Sequence, residues 1–311
     1  MRVEELVNKG HRPSTARTYA SIQHRYLRFC STYDLIPLPA TEHNILRFIA
    51  HLSHSITHSS ILVYLSAVRA LHVQHDLPHP TLTAPRIKLA LKALSNLSPE
   101  VKQALPITFP IMQAFLGKLG NSLEDLSLWA CMTSLFFGCR RAGELAPSGV
   151  QLAQGDPYPM VRDLVFSTAP KAALLYLSRT KTTPHGLTVI LGCSGHRVCA
   201  YCTLVKYMHL RGVVNTTNIV LPLFMIAGQP MTKEYLLARQ NALLRVNGID
   251  CKGYTPHSYR SGCATTLSLN GVNEGIIQKT GVWKSLCYRR YIRQSVVAQA
   301  SVAKMLVSPF N

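Results

Sequence analysis

Apolar side chains recur at helical spacing through most of the first 97 residues, in runs too short to be stable alone and separated by helix breakers. Ser14 is placed to cap the first run, where Tyr19, Ile22, Tyr26 and Phe29 share a face. Pro37 and Pro39 end it. Thr41 opens a second run with Ile45, Phe48, Ile49 and Leu52, and Ser59 or Ser60 a third with Ile61, Tyr64, Leu65, Val68 and Leu71. Pro85 precedes a fourth, carrying Ile87, Leu89, Leu91 and Leu94. Four such helices must bury their faces on one another, so 1–97 is expected to be an all-helical domain. Ser95–Thr108 reads as a connection, placed at 98–108, and a second domain follows over 109–311.

That second part mixes periods. A helix is expected over Leu123–Leu135, running on through Arg140 to Leu145. Two or three short strands are expected, at Met160–Phe166, Ala173–Ser178 and Leu187–Leu191, the last reached by a turn at Pro184, His185 and Gly186. Helices return near Cys199–Leu210, Lys233–Val246, Ser258–Ser268, Asn273–Thr280 and Leu286–Arg293, and an apolar stripe runs over Val296–Leu306. The expected class is mainly α with a small antiparallel β-sheet.

Charge narrows the partners. Among 311 residues, 33 Lys and Arg face 14 Asp and Glu, a net charge of +19. The excess runs through both halves, which suits two domains lying against a polyanion rather than one basic tail. Apolar residues make up 47%, enough for sizeable cores and against wholesale disorder. Nine cysteines, an odd number, with no N-terminal apolar run of signal-peptide type, give the expectation of an intracellular, reducing compartment. No run approaches the roughly 20 apolar residues of a membrane span, so no membrane partner is expected.

Several pairs are suited to phosphate chemistry, each weak alone. Arg141 and Glu144 stand three apart in GCRRAGEL, a spacing equally common in surface ion pairs. His257 and Arg260 stand three apart in PHSYRSG after Pro256, where a helix start favours an anion. Lys181 lies at the hairpin tip in SRTKTTPHG. Trp283 offers one indole donor, and eight residues on lies Tyr291, flanked by Arg289, Arg290 and Arg293. A phenol is a poor nucleophile unless cations stabilise its phenolate. No Asp/Glu cluster suits two magnesium ions, which counts against a metal-dependent transposase.

The ordered set Arg…Lys…His-x-x-Arg…Trp…Tyr resembles the active site of the tyrosine recombinases, also called phage-integrase-type recombinases. The resemblance rests on RAGE, on KTTP before G-x-T-V-I-L, on PHSYRSG and on GVWKS…YIR. It is closest to recombinases of eukaryotic mobile elements, the Crypton, DIRS and Ngaro groups, and extends through STARTYASIQHRYLRFC and SSILVYLSAVRALH to most of 10–295. It implies a four-helix, SAM-like core-binding domain beside an α+β catalytic domain. It implies that Arg141 and Arg260 clamp a scissile phosphate, Lys181 protonates the leaving 5′-oxygen, and His257 takes the Tyr proton or bonds the phosphate. Trp283 stands where many members have histidine, Glu144 supports the first Arg, and Tyr291 forms a 3′-phosphotyrosyl bond. Arg140 adjoins Arg141 and Tyr288 lies one turn before Tyr291; spacing favours Arg141 and Tyr291. The loop from Lys181 to Gly186 is shorter than usual.

The resemblance further implies a cofactor-free recombinase or integrase acting on double-stranded DNA, as a homo-tetramer on paired sites, in the nucleus, with Val296–Leu306 packing on a neighbouring protomer. Lys9, Arg12, Arg17, Arg25 and Arg28 are candidate phosphate contacts. Two other readings share the fold: a domesticated DNA-binding protein that no longer cuts, and a topoisomerase-like relaxing enzyme. CSGHRVCAYC sets Cys193, His196, Cys199 and Cys202 at three-residue steps. The ligand types suit zinc, but the spacing is no familiar finger, and no metal is expected. Histidines 51, 54, 58, 72, 75 and 79 are expected on helix faces and loops.

Overall fold

A computed structural model describes residues 10–79, 84–99, 103–153, 155, 157–178, 180, 183 and 185–292. Lys9, Lys181, Arg293 and the Val296–Leu306 stripe lie outside them. The chain divides into two compact units, Met1–Val101 and Lys102–Asn311.

The first unit is built from α1 (Pro13–Thr32), α2 (Glu42–Ser53), α3 (His58–Gln74) and α4 (Pro85–Leu97). Thr41 caps α2 by accepting from Asn44 N–H at 3.1 Å. Two starts differ from expectation. Pro13 sits in the first turn of α1, so Arg12 rather than Ser14 is the cap position, and Thr57 caps α3 in place of Ser59 or Ser60. The core gathers Tyr26, Phe29, Ile45, Phe48, Ile49, Leu52, Ile61, Leu65, Val68, Leu71 and Ile87. Leu89 does not join it. It lies two residues from Ile87, on the opposite side of α4, and is 66% exposed, whereas Leu91 and Leu94 follow the helical period and pack inward.

His72 lies on α3, within the expectation of helix faces and loops, and is fully buried there. Its Nε2 must accept from Ala40 N–H at 2.8 Å, so Nδ1 carries the proton and donates to Val68 O at 2.8 Å. His72→Ala leaves the Ala40 N–H without its acceptor and opens a cavity. It is expected to destabilise the unit by about 2–4 kcal/mol, read as a lower urea midpoint for the full chain.

Of the expected connection, Ser95–Leu97 completes α4. Leu105 N–H donates to Gly253 O and Ile107 N–H to Ser258 O, both at 2.9 Å, so these residues are part of the second unit. Ile107 lies directly on a helix glycine, Gly262, where a Cβ would stand 1.7 Å from the Ile107 oxygen.

In the second unit α5 (Phe109–Leu116) precedes α6 (Leu123–Phe137), capped by Ser122 and buried at every position from Leu126 to Phe136. A helix apolar all round belongs at the centre of a core. The expected continuation to Leu145 is broken. Cys139 turns left-handed at φ 53°, its N–H donates to Phe136 O and Arg140 N–H donates to Leu135 O. That is a Schellman ending. Arg141 then caps a short α7 (Ala142–Leu145), followed by α8 (Gly149–Ala153).

Strands β1 (Leu164–Thr168), β2 (Lys171–Leu177) and β3 (Leu187–Gly192) form an antiparallel meander in the order β1-β2-β3. Leu164 pairs with Leu175, and Leu177 with Leu187. Ala173, Leu175, Leu177, Val189 and Leu191 face the core. Beyond the meander come α9 (Ala200–Leu210), a small unexpected ribbon of β4 (Met225–Ile226) and β5 (Gln229–Pro230), and α10 (Lys233–Val246), α11 (Ser258–Leu269) and α12 (Glu274–Gly281). The helix expected over Leu286–Arg293 is instead a 3₁₀ helix, Leu286–Tyr291. Among the described residues, no helix is long and apolar enough to cross a membrane.

Candidate active site

Helix C-termini leave carbonyls without intrahelical partners and carry the negative end of the helix dipole. Two such ends meet one arginine. Val282 turns left-handed at φ 53° after α12, with Val282 N–H donating to Lys279 O and Trp283 N–H to Gln278 O, a second Schellman ending. Arg260, fully buried in α11, donates through its two terminal nitrogens to Cys139 O after α6 and to Gly281 O at the end of α12, each at 2.7 Å. Arg140 is also buried and donates to Thr280 O at 2.6 Å. Spacing to Glu144 favours Arg141 over it, and its place is to tie the same two helix ends together.

Trp283 covers the Arg260 guanidinium, whose Cζ stands 4.1 Å from the ring centroid. The indole lies on Gly281, where any Cβ would come within 1.9 Å of the ring. The Tyr291 ring lies against both, 5.6 Å from Trp283 at 33° and 5.9 Å from Arg260 Cζ. Its backbone oxygen accepts from Ser261 Oγ at 3.1 Å and Thr265 Oγ1 at 2.8 Å. These two hydroxyls were missed. Their spacing of four beside Arg260, on a helix, was the available signal.

Tyr288 is otherwise engaged. It is buried, and its hydroxyl donates to Glu274 Oε2 at 2.6 Å, a bond that raises its pKa. Arg289 donates to the same carboxylate oxygen at 2.8 Å.

Arg141 meets Glu144 by capping rather than by a shared helix face. The Glu144 carboxylate accepts from Arg141 backbone N–H at 3.2 Å and from its guanidinium at 2.8 Å, with 19% of the Arg141 side chain and 7% of Glu144 exposed. The next residue, Ala142, donates to Pro256 O at 3.4 Å, which brings this turn to the segment carrying His257 and Arg260. His257 is exposed at the start of α11, its N–H on Thr255 Oγ1. Burial pulls the Arg260 pKa below its ordinary value, and the nearby Arg141 and Arg140 charges pull the same way. Three guanidiniums against one carboxylate make a place that favours an anion.

Two donors here lack partners among the described residues, Arg260 Nε and Trp283 Nε1, both buried. Lys181 lies outside the described residues; around it Thr180 N–H donates to Thr183 O at 3.1 Å and Thr183 N–H to Thr180 Oγ1 at 3.0 Å. On α1, Arg17 and Arg28 are exposed. Arg25 is held by Tyr64 OH and Ser55 Oγ at 3.1 and 3.3 Å, and Arg12 is the α1 cap position.

No protein-family model matches the sequence, and no curated protein matches it. Solved structures do match in fold. XerH site-specific recombinase bound to palindromic difH substrate superposes with a TM-score of 0.64 at 12% identity, over 94% of this chain and 79% of that one. The Tn1549 transposon integrase in complex with circular intermediate DNA gives 0.60 at 16% identity, over 98% and 99%. A lambda integrase dimer bound to a COC′ core site gives 0.57 at 17% identity, over 93% and 92%. The mainly helical architecture with its small antiparallel sheet is therefore the tyrosine recombinase fold.

Proposed function

We propose that this chain is a site-specific DNA recombinase that cuts and rejoins strands through a Tyr291 phosphotyrosyl intermediate, serving integration or excision of a mobile element of the Crypton, DIRS or Ngaro type. The observation that carries the reading is the cluster of Arg260, Trp283 and Tyr291, in which two buried donors have no acceptor among the described residues. A buried N–H without a partner costs about 1–3 kcal/mol, and a phosphate accepting from Arg260 Nε and Trp283 Nε1 would satisfy both. The net charge of +19 and the DNA bound by the structures of like fold support the same partner.

In this mechanism the Tyr291 oxygen forms a bond to phosphorus as the bond to the 5′-oxygen breaks. His257 takes or relays the phenol proton, and Lys181 gives a proton to the departing oxygen. Arg260 and Arg141 neutralise the nonbridging oxygens, a role worth about 3–4 kcal/mol per well-placed donor in other enzymes. Resealing reverses the step, so the bond energy is conserved and no ATP is needed. We further propose action in the nucleus as a homo-tetramer on paired sites, which follows from the same resemblance.

The burial of Arg260 under Trp283 favours one rival, a DNA-binding protein that has ceased to cut. One experiment separates them. The full chain is incubated with nicked duplexes of randomised sequence, and SDS-resistant protein–DNA adducts are recovered. A recombinase yields adducts mapping to Tyr291 and enriched in a common sequence. Retention of DNA with no adduct would leave the non-cutting reading, and absence of DNA binding would remove both.

A further inference from the structure

Away from the arginine cluster, the sulfurs of Cys193, Cys199 and Cys202 converge so that all lie within 4.8 Å of one another. We propose that these three thiolates bind one zinc ion. The sequence spacing alone argued against a metal, but the fold supplies what spacing could not. Cys193 follows β3 directly, and its N–H donates to Lys171 O on β2 at 2.8 Å. Cys199 and Cys202 lie at the start of α9, so a strand end and a helix start deliver sulfur to one point.

The distances fit. With Zn–S bonds of about 2.3 Å, the sulfurs of a tetrahedral site stand ~3.8 Å apart, and Cys193 Sγ is 3.7 Å from Cys202 Sγ. A disulfide requires about 2.05 Å and would use only two of the three sulfurs. Cys199 Sγ also accepts from Ser194 N–H at 3.3 Å, the kind of outer bond that orients a metal-bound thiolate. A soft, all-sulfur set selects zinc over magnesium or calcium. Cys202 and Cys193 reach the surface while Cys199 is buried, so the fourth tetrahedral position is left to solvent. His196 stands apart from the cluster: its Nδ1 accepts from Val198 N–H at 3.0 Å and its ring packs on Phe109. The ion would clip the end of β3 to α9, fixing one end of the strand whose other end follows the segment that carries Lys181 in the sequence.

The test uses the full chain purified under reducing conditions without added metal. Elemental analysis is expected to find about one zinc per chain. Cys193→Ser and Cys202→Ser, both at surface positions, are expected to lower it at least tenfold, while Cys287→Ser and His196→Ala keep it. Cobalt(II) bound in place of zinc is expected to show sulfur-to-cobalt charge transfer and strong tetrahedral d–d bands, lost in Cys202→Ser. Substoichiometric zinc in the wild type, metal retained by both serine variants, loss of metal in His196→Ala, or a Cys193–Cys202 disulfide in place of metal would each overturn the assignment. None of these readouts involves DNA cleavage, so failure here and failure of the recombinase reading are separate events.

Discussion

Tyr291→Phe is expected to leave DNA binding unchanged and to reduce adduct formation by roughly 10⁴–10⁶-fold, the scale on which enzymes lose rate with their nucleophile. The substitution is conservative in packing. The phenylalanine ring keeps its place 5.6 Å from Trp283, and the backbone oxygen still accepts from Ser261 and Thr265. What disappears is the oxygen that would bond to phosphorus. Tyr288→Phe is the control. Its phenol is committed to Glu274, and a hydrogen bond to a carboxylate holds the proton on the phenol, opposite to what a nucleophile requires. Adducts are therefore expected to persist in Tyr288→Phe. Adducts that persist in Tyr291→Phe and vanish in Tyr288→Phe would transfer the role to Tyr288 and refute the spacing from Trp283 as a guide.

How much of this could be read in advance depended on whether the signal was local. Apolar spacing located the helices of the first unit because each must bury one stripe, and it failed at Leu89 only where the period was not followed. The meander was legible from short apolar runs and a Gly-containing turn, but not its first strand's start, which comes at Leu164 after a 3₁₀ turn over Val161–Asp163 rather than at Met160. The ending of α6 was not legible, whereas α12 ends within one residue of the expected Thr280. A Schellman ending is normally announced by glycine in the left-handed position, and here Cys139 and Val282 occupy it, with Gly138 and Gly281 one residue earlier. The rule therefore read straight through Gly138 and extended α6 to Leu145.

The candidate site was legible as residue types in order and illegible as contacts. The three-residue step from Arg141 to Glu144 held for a reason other than the one assigned, since a cap and the third helical residue meet as readily as two positions on one face. That Arg260 would bind two helix ends, with Arg140 beside it, depends on carbonyls more than 100 residues apart in the chain. No local pattern carries that. The converging sulfurs of Cys193, Cys199 and Cys202 belong to the same class, because their distances are set by how β3 meets α9.

Arg260→Lys separates the clamp this arginine forms from the phosphate role proposed for it. The guanidinium fork reaches Cys139 O and Gly281 O together while presenting its face to Trp283, and it keeps further N–H groups for an anion. An ammonium on a flexible stem cannot span both carbonyls in that plane. One carbonyl is left without a donor, which is expected to cost about 1–3 kcal/mol in a urea melt, against roughly double that for Arg260→Ala, which orphans both. Strand cleavage measured at saturating DNA is expected to fall by about 10²–10³-fold in Arg260→Lys, the loss typical of one charge-stabilising donor, under conditions where the variant is still folded. A variant that melts earlier but cleaves at the wild-type rate would make Arg260 a structural clamp alone. The phosphate would then rest on Arg141, the one of the three guanidiniums held by a carboxylate and partly open to solvent.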